Sequence, residues 1–330
     1  MKKTLLALMV SVAATGLSMQ AAHADSEITV GYFLEWPMPF LAAKADGSYD
    51  EAMGAKVKWR AFETGTAMSA AMASGDVQIS VSQGLPPFVV ATSAGQDLQI
   101  VDIAVSYSEN DNCVVASKLE ITKDNAKELE GKKVAVPMGT AAHYGFLRQM
   151  DHFGVALDSL EVVNMPPPEG ASALSTGAVD FACGWGGGLK RMKEHGNILI
   201  TGEEKEELGI LVFDVTSATA GYIAENEEML AKFLATTAAA NAKWNSDRDP
   251  EMLAVIAKES GMDLKDAEAA IATMDFPDVE TQLSEKWLGG GVQSFMKGVA
   301  DVFVEAKSID KALPSYDDTV NNAPLEAASK

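Results

Sequence analysis

Twice in this chain a helix-like stretch ends on a glycine and runs straight into a short apolar strand. Ala73-Ser74-Gly75-Asp76-Val77-Gln78-Ile79 and Ser175-Thr176-Gly177-Ala178-Val179-Asp180-Phe181 follow the same order. Glycine stops a helix cheaply because it adopts a left-handed backbone, and a recurring helix-to-strand turn implies a repeated unit. The flanking pattern agrees. Apolar runs at 28–32, 57–62, 77–82 and 98–105 read as strands, alternating with helical stretches at 66–74 and 86–94, the latter opened by Pro86-Pro87. The pattern then restarts, with strands at 133–136, 160–163, 179–183 and 198–201 and helices at 140–153, 169–175 and 188–195. Strands alternating with helices imply βαβ units and a largely parallel sheet. Two such sets predict an α/β chain of two similar lobes. Each lobe would present loops beyond the carboxyl ends of its strands, where open parallel sheets bind ligands. In register, Gln83 falls opposite Trp185 and Gly84 opposite Gly186.

Residues 221–330 are mainly helical, with apolar periodicity over 226–244, 251–259, 264–274 and 292–306. A strand at 212–216 leads into them and reads as a return crossing to the first lobe. The expected division is therefore 25–111 with 213–330 as lobe one and 112–212 as lobe two. Residues 315–330 are small and polar and are expected to fray. The run Glu203-Glu204-Lys205-Glu206-Glu207 reads as a solvated face, and Met38 and Phe40 as core.

The first 24 residues look like an export signal. Lys2 and Lys3 form a basic start, residues 5–17 are apolar, and Ala22-His23-Ala24 is a small-x-small cleavage site. The apolar run is short for a membrane span, and no cysteine lies at the cut to carry a lipid. A periplasmic protein without a lipid anchor is expected. Export would put Cys113 and Cys183 where a disulfide persists. Their even number and strand positions favour a bridge, and two buried thiols are the alternative.

The formal net charge of −21 argues against nucleic acid or an anionic membrane surface as partner. No GxSxG elbow, HExxH, Walker A or dinucleotide glycine fingerprint occurs, and no nucleophile–base pair is evident. His143, His152 and His195 lack metal-ligand spacing. Gly184-Trp185-Gly186-Gly187-Gly188 suits a close approach of backbones better than a phosphate cradle. No enzyme, cofactor or metal site is expected.

Several stretches taken in order carry a family resemblance. They are Ile28-Thr29-Val30-Gly31-Tyr32, the Ala73–Ile79 turn, Gly131-Lys132-Lys133-Val134-Ala135-Val136-Pro137, Thr140-Ala141-Ala142-His143-Tyr144, Pro166-Pro167, Trp185 and Phe213-Asp214-Val215. Together they resemble the taurine and alkanesulfonate substrate-binding proteins of ABC importers. That resemblance implies a two-lobed periplasmic binding-protein fold of type II-like topology, with a hinge and a ligand cleft. It implies a small ligand between the lobes and docking of the closed form on the importer's membrane subunits; a monomer is expected. Thiamine-pyrimidine-synthesis enzymes share the two-lobed fold and form the alternative from another class.

Taurine carries a sulfonate and an ammonium, and each end needs its own partner. Helix N-termini hold anions on free backbone N–H groups, and a chain with four arginines suits that better than an arginine clamp. The two candidates are Gln83-Gly84-Leu85 before Pro86 and Gly139-Thr140-Ala141 before His143, with Thr140 as hydroxyl donor or simple N-cap. The resemblance assigns Asp214 to the amine and places His143 in or beside the site. Glu35 departs from the family pattern. With Trp36 it offers a second cation contact, which favours a more basic or alkylated amine such as a methylated amine over taurine. Hypotaurine is a further alternative. Trp36, Tyr144 and Trp185 are candidate walls.

Overall fold

The computed structural model describes residues 27–330, so the leader read at residues 1–24 lies outside the described residues. Among the described residues, eleven strands form two separate sheets. The first contains β1 (Glu27–Phe33), β2 (Lys56–Phe62), β3 (Ile79–Gly84), β4 (Leu98–Tyr107), β10 (Phe213–Thr219) and β11 (Met274–Asp275), in the order β11-β4-β10-β3-β1-β2. The second contains β5 (Asp111–Ala116), β6 (Lys133–Val136), β7 (Glu161–Asn164), β8 (Phe181–Trp185) and β9 (Gly196–Ile198), in the order β7-β6-β8-β5-β9. This is the two-lobed α/β architecture anticipated above.

The inner strands are buried along nearly their whole length, polar positions included. Strands β1, β2 and β3 pair parallel, as do β6, β7 and β8. The expectation of largely parallel sheets needs amending at the crossings. β10 inserts antiparallel between β3 and β4, and β5 pairs antiparallel with β8 and β9. Each is a strand that arrives from the other lobe, so no right-handed βαβ crossover dictates its direction.

Cys113 and Cys183 face each other across the β5–β8 ladder and are joined as a disulfide. The chain passes between the lobes at 107–111 and again at 199–213. The acidic run between β9 and β10 is not simply a solvated face. Its central residues form the helix Gly202–Glu207, and Lys205 is 0% exposed. The Lys205 ammonium donates to the carbonyl of Ser108 at 2.7 Å and to that of Asp111, fastening the second crossing to the first. Lys205 is buried despite its charge because its ammonium is spent on these backbone carbonyls. Lys205→Met is expected to orphan both carbonyls at about 1–3 kcal/mol each, read as a lower urea midpoint with unchanged slope.

The C-terminal stretch does not fray. Tyr316 is buried with its hydroxyl 2.7 Å from that of Ser93, Val320 bridges to Ile100, and Leu325 on the helix Ala323–Ala328 is fully buried. Two helices that periodicity missed, Phe40–Asp46 and Ser48–Met53, meet at Gly47, whose φ of +81° both ends one and caps the other. Met38 and Phe40 are core residues.

Candidate functional site

The carboxyl ends of β1, β3 and β4 face the start of the helix after β6 and the end of β8. A local distortion shapes the first of these edges. Val215 pairs with Gln83 but Ser217 pairs with Ser80, so β3 carries one extra residue there. Ser82 lies in this bulge at φ +59°, a backbone that non-glycine residues rarely adopt. The bulge brings its hydroxyl to Trp36 and Asp214. Strain of this kind costs about 1–3 kcal/mol and gathers at functional sites.

Ser82 is one of a connected set. Its hydroxyl accepts from the Trp36 indole N–H at 2.9 Å and donates to Asp214 Oδ2 at 2.6 Å. The Tyr107 hydroxyl, at the end of β4, donates to Asp214 Oδ1 at 2.7 Å, and its ring meets Trp36 edge-on at 4.7 Å. Asp214 is 2% exposed, and among the described residues it takes part in no ion pair. Burial pushes its carboxyl up to about 7, against the pull of the Ser82 and Tyr107 hydrogen bonds and with a further push from the Asp111 charge. A buried carboxyl with hydroxyl donors on both oxygens, and no cationic partner among the described residues, has the chemistry to accept a cation.

Asp214 lines a narrow pocket between the two lobes. Phe33, Trp36, Tyr107 and Trp185 supply its aromatic wall, and Gly84 and Pro87 its floor beside Asp214. Thr140 and Ala141 close the side formed by the second lobe, and Gly65 opens the helix Gly65–Ala73 onto the same space.

The two helix starts read from the sequence as anion candidates differ in what they leave free. The helix Leu85–Ser93 carries prolines at two of its first three positions, which removes two of the N–H groups a helix start normally leaves free. Of Gln83, Gly84 and Leu85, only Gly84 lines the pocket. The Gln83 amide instead donates to the Gly65 carbonyl at 3.0 Å and to Ser69, holding the Gly65–Ala73 helix start in place. Leu85 is fully buried. At the helix Ala141–Phe153, Thr140 is the N-cap: its hydroxyl donates to the Pro137 carbonyl at 2.6 Å and accepts the His143 N–H. The hydroxyl proton is thus committed, whereas the N–H groups of Ala141 and Ala142 precede the first intrahelical bonds.

His143 and Tyr144 are not brought to the pocket. The His143 Nδ1 accepts from the Gly139 N–H at 3.1 Å, and its ring stacks 5.2 Å from Phe303 of the helix Gly291–Glu305. Burial holds its pKa down to about 4, so the ring is neutral at pH 7. Tyr144 meets Phe295 of the same helix edge-on at 5.7 Å and accepts from Arg148. Both residues join the lobes by packing. Glu35, at φ +53°, points outward, and its carboxylate is bidentate with Arg191 at 2.9 and 3.1 Å.

The glycine run of 184–188 divides its labour. A Cβ on Gly188 would stand 2.6 Å from Pro167 within the second lobe, whereas one on Gly187 would stand 2.4 Å from the Glu35 carboxylate of the first. Close approach, not phosphate binding, explains the run. Sequence reasoning missed Ser82, Tyr107, Phe33, Gly65 and Pro87. Tyr107 had a visible signal, standing just past the carboxyl end of the apolar run at 98–105. Ser82 had none, because a bulge leaves no mark on hydrophobic periodicity. Among the described residues no group of three or more His, Cys, Asp or Glu stands together to hold a metal, and no helix is long and apolar enough to cross a membrane.

The profile of the family described as NMT1/THI5 like matches residues 37–249, which span both lobes and include Tyr107, Trp185 and Asp214. The chain belongs to the NMT1/THI5 like family. This NMT1/THI5 like chain is 26% identical over 289 residues to the taurine-binding periplasmic protein of Escherichia coli strain K12, covering 86% of this chain and 88% of that protein. The alkanesulfonate-binding protein SsuA of Xanthomonas axonopodis pv. citri, solved with bound MOPS, shares its fold at a TM-score of 0.73 and 20% identity, over 90% of this chain and 98% of that one. The periplasmic aliphatic sulphonate-binding protein SsuA of Escherichia coli matches at a TM-score of 0.68 and 21% identity, over 87% and 95%. The resemblance read from the ordered motifs is borne out.

Proposed function

We propose that this protein is the periplasmic substrate-binding component of an ABC importer and holds taurine or a related small aminosulfonate between its lobes. The leader of residues 1–24 would direct export, and the membrane subunits of the importer would be its partners. Lobe one would comprise 25–111 with 213–330, and lobe two 112–212. The observation that carries the reading is the Asp214 carboxylate, which is buried and met by Tyr107 and Ser82 but, among the described residues, by no cation. It shares one pocket with Ala141 at the start of a helix. A zwitterion satisfies both: its ammonium neutralises Asp214, and its sulfonate takes the free N–H groups of Ala141 and Ala142. Taurine-binding among the relatives supports the same choice. The reading makes the chain a carrier rather than an enzyme.

A second reading has an observation of its own. Phe33, Trp36, Tyr107 and Trp185 surround the space next to Asp214, and aromatic faces also suit an alkylated ammonium. Isothermal titration with taurine, hypotaurine, an alkanesulfonate and betaine separates the two. Taurine is expected to bind more tightly than betaine, and absence of taurine heat at millimolar concentration removes the aminosulfonate reading.

A further inference from the structure

The outward-facing ion pair at the mouth of the cleft has a role that ligand contact does not supply. Glu35 belongs to the loop after β1 in the first lobe, and Arg191 to the helix Gly186–Lys193 in the second. The loop is held on its own side, since the Glu35 N–H donates to the Ser260 carbonyl at 2.8 Å. Glu35 keeps a left-handed backbone, which turns its carboxylate away from the pocket and across the mouth. There both carboxylate oxygens meet the two guanidinium nitrogens, a fork geometry that fixes direction as well as distance. Beneath the pair the second lobe offers bare backbone. A Cβ on Gly186 would lie 2.8 Å from the Glu35 carbonyl oxygen, and one on Gly187 would lie 2.4 Å from its carboxylate. Lys190, one residue before Arg191, pairs with Asp266 on the first-lobe helix Leu264–Ile271.

These contacts exist only while the lobes are together. We propose that Glu35 and Arg191 form a latch that holds the cleft closed over its ligand and sets the rate of ligand release, with Gly187 as the platform that lets the latch seat. The proposal rests on the interlobe-ligand reading above but not on any contact between Glu35 and the ligand. An interaction made only in the closed state favours that state by its own free energy, and so tightens any ligand that needs closure. Both side chains are about two-fifths exposed, at 39% and 42%, so solvent screens the pair and its effect is modest.

The test is a double-mutant cycle on the full chain, read by stopped-flow tryptophan fluorescence with taurine as probe. Glu35→Gln and Arg191→Met are each expected to speed release roughly two- to fivefold, and the double variant to be no faster than either alone. Gly187→Ala carries no charge change and is expected to speed release as well, because its methyl meets Glu35 only on closure. Release from Arg191→Met at the parent rate, or strictly additive effects in the cycle, overturns the latch. If the parent shows no taurine signal, the aminosulfonate reading falls, and the latch is judged on the free protein by small-angle scattering. There Arg191→Met must enlarge the radius of gyration relative to the parent, and an unchanged radius overturns it.

Discussion

Asp214→Asn is expected to weaken taurine binding by about 2–5 kcal/mol, the usual loss when one member of a buried charge pair is neutralised. That corresponds to roughly thirtyfold or more in dissociation constant. The substitution separates recognition from stability. The asparagine oxygen can still accept from Tyr107, and its amide can donate to Ser82, whose hydroxyl has a second lone pair beside the Trp36 bond. The Ser82 contact is thus kept with its direction reversed, and the loss of an acceptor for the Ser82 O–H is offset by relief of a buried charge. Without ligand the variant should melt at the parent temperature or above it, while the shift that taurine produces in the parent disappears. Retention of parent affinity would remove Asp214 from the amine role.

The same carboxyl gives a pH signature whose two halves run in opposite directions. Its folded pKa of about 7 lies above the unfolded carboxylate value. Between roughly pH 4 and 7 the native state therefore holds the extra proton, and the stability of the free protein falls as pH rises across that window. Asp102 and Asp111, pushed by burial to about 7 and about 6, act in the same direction. Ligand affinity runs the other way. An ammonium requires the ionised carboxyl, so affinity should rise with pH to about 7 and then level off, with a proton released on binding below that point. Titrations in buffers of different ionisation heat measure the proton, and Asp214→Asn should abolish its release.

The second large effect concerns the anion. Ala141→Pro removes one backbone N–H and leaves the helix standing. Proline is favoured at the first helical position, where the N–H has no intrahelical partner. The residue before it must be extended, and Thr140 already is, at φ −106° and ψ 178°. A charge-assisted hydrogen bond to a buried anion is worth about 1.5–3 kcal/mol. Affinity for taurine and for a simple alkanesulfonate should therefore fall together by roughly ten- to a hundredfold. Asp214→Asn, by contrast, should spare the alkanesulfonate. Circular dichroism that matches the parent shows that the helix has survived, and unchanged affinity for both ligands would exclude the Ala141 N–H as an anion donor.

What could be read from sequence follows the range of the interaction involved. The strand at 133–136 and the helix from 141 were legible to within a residue, because hydrophobic period, N-cap and closing glycine are all local. The pairing of Gly84 with Gly186 came within one residue of the structural match, in which Gly84 and Trp185 occupy the same position before a helix. Trp36, Trp185, Thr140, Ala141, Gly84 and Asp214 reach the pocket as a group. His143 and Tyr144 do not, since one turn of helix carries them onto Phe303 and Phe295 from a distant part of the chain. Nothing local reveals those partners. Lys205 was misread for the same reason: its hydrogen bonds go to carbonyls 94 and 97 residues away.

The place of β10 between β3 and β4 fixes an order of assembly. The second lobe is continuous in sequence, and its disulfide closes a loop with a separation of 70 residues inside that one stretch. It can collapse on its own residues. The first sheet cannot, because β3 and β4 reach each other only through a strand that begins at residue 213. Until that strand inserts, both present open edges and the sheet remains two fragments. Asp214 rides on the inserting strand. The carboxylate proposed to recognise the ligand thus enters the molecule in the step that completes its fold, so on that reading a chain that has not finished folding has no site with which to compete for solute.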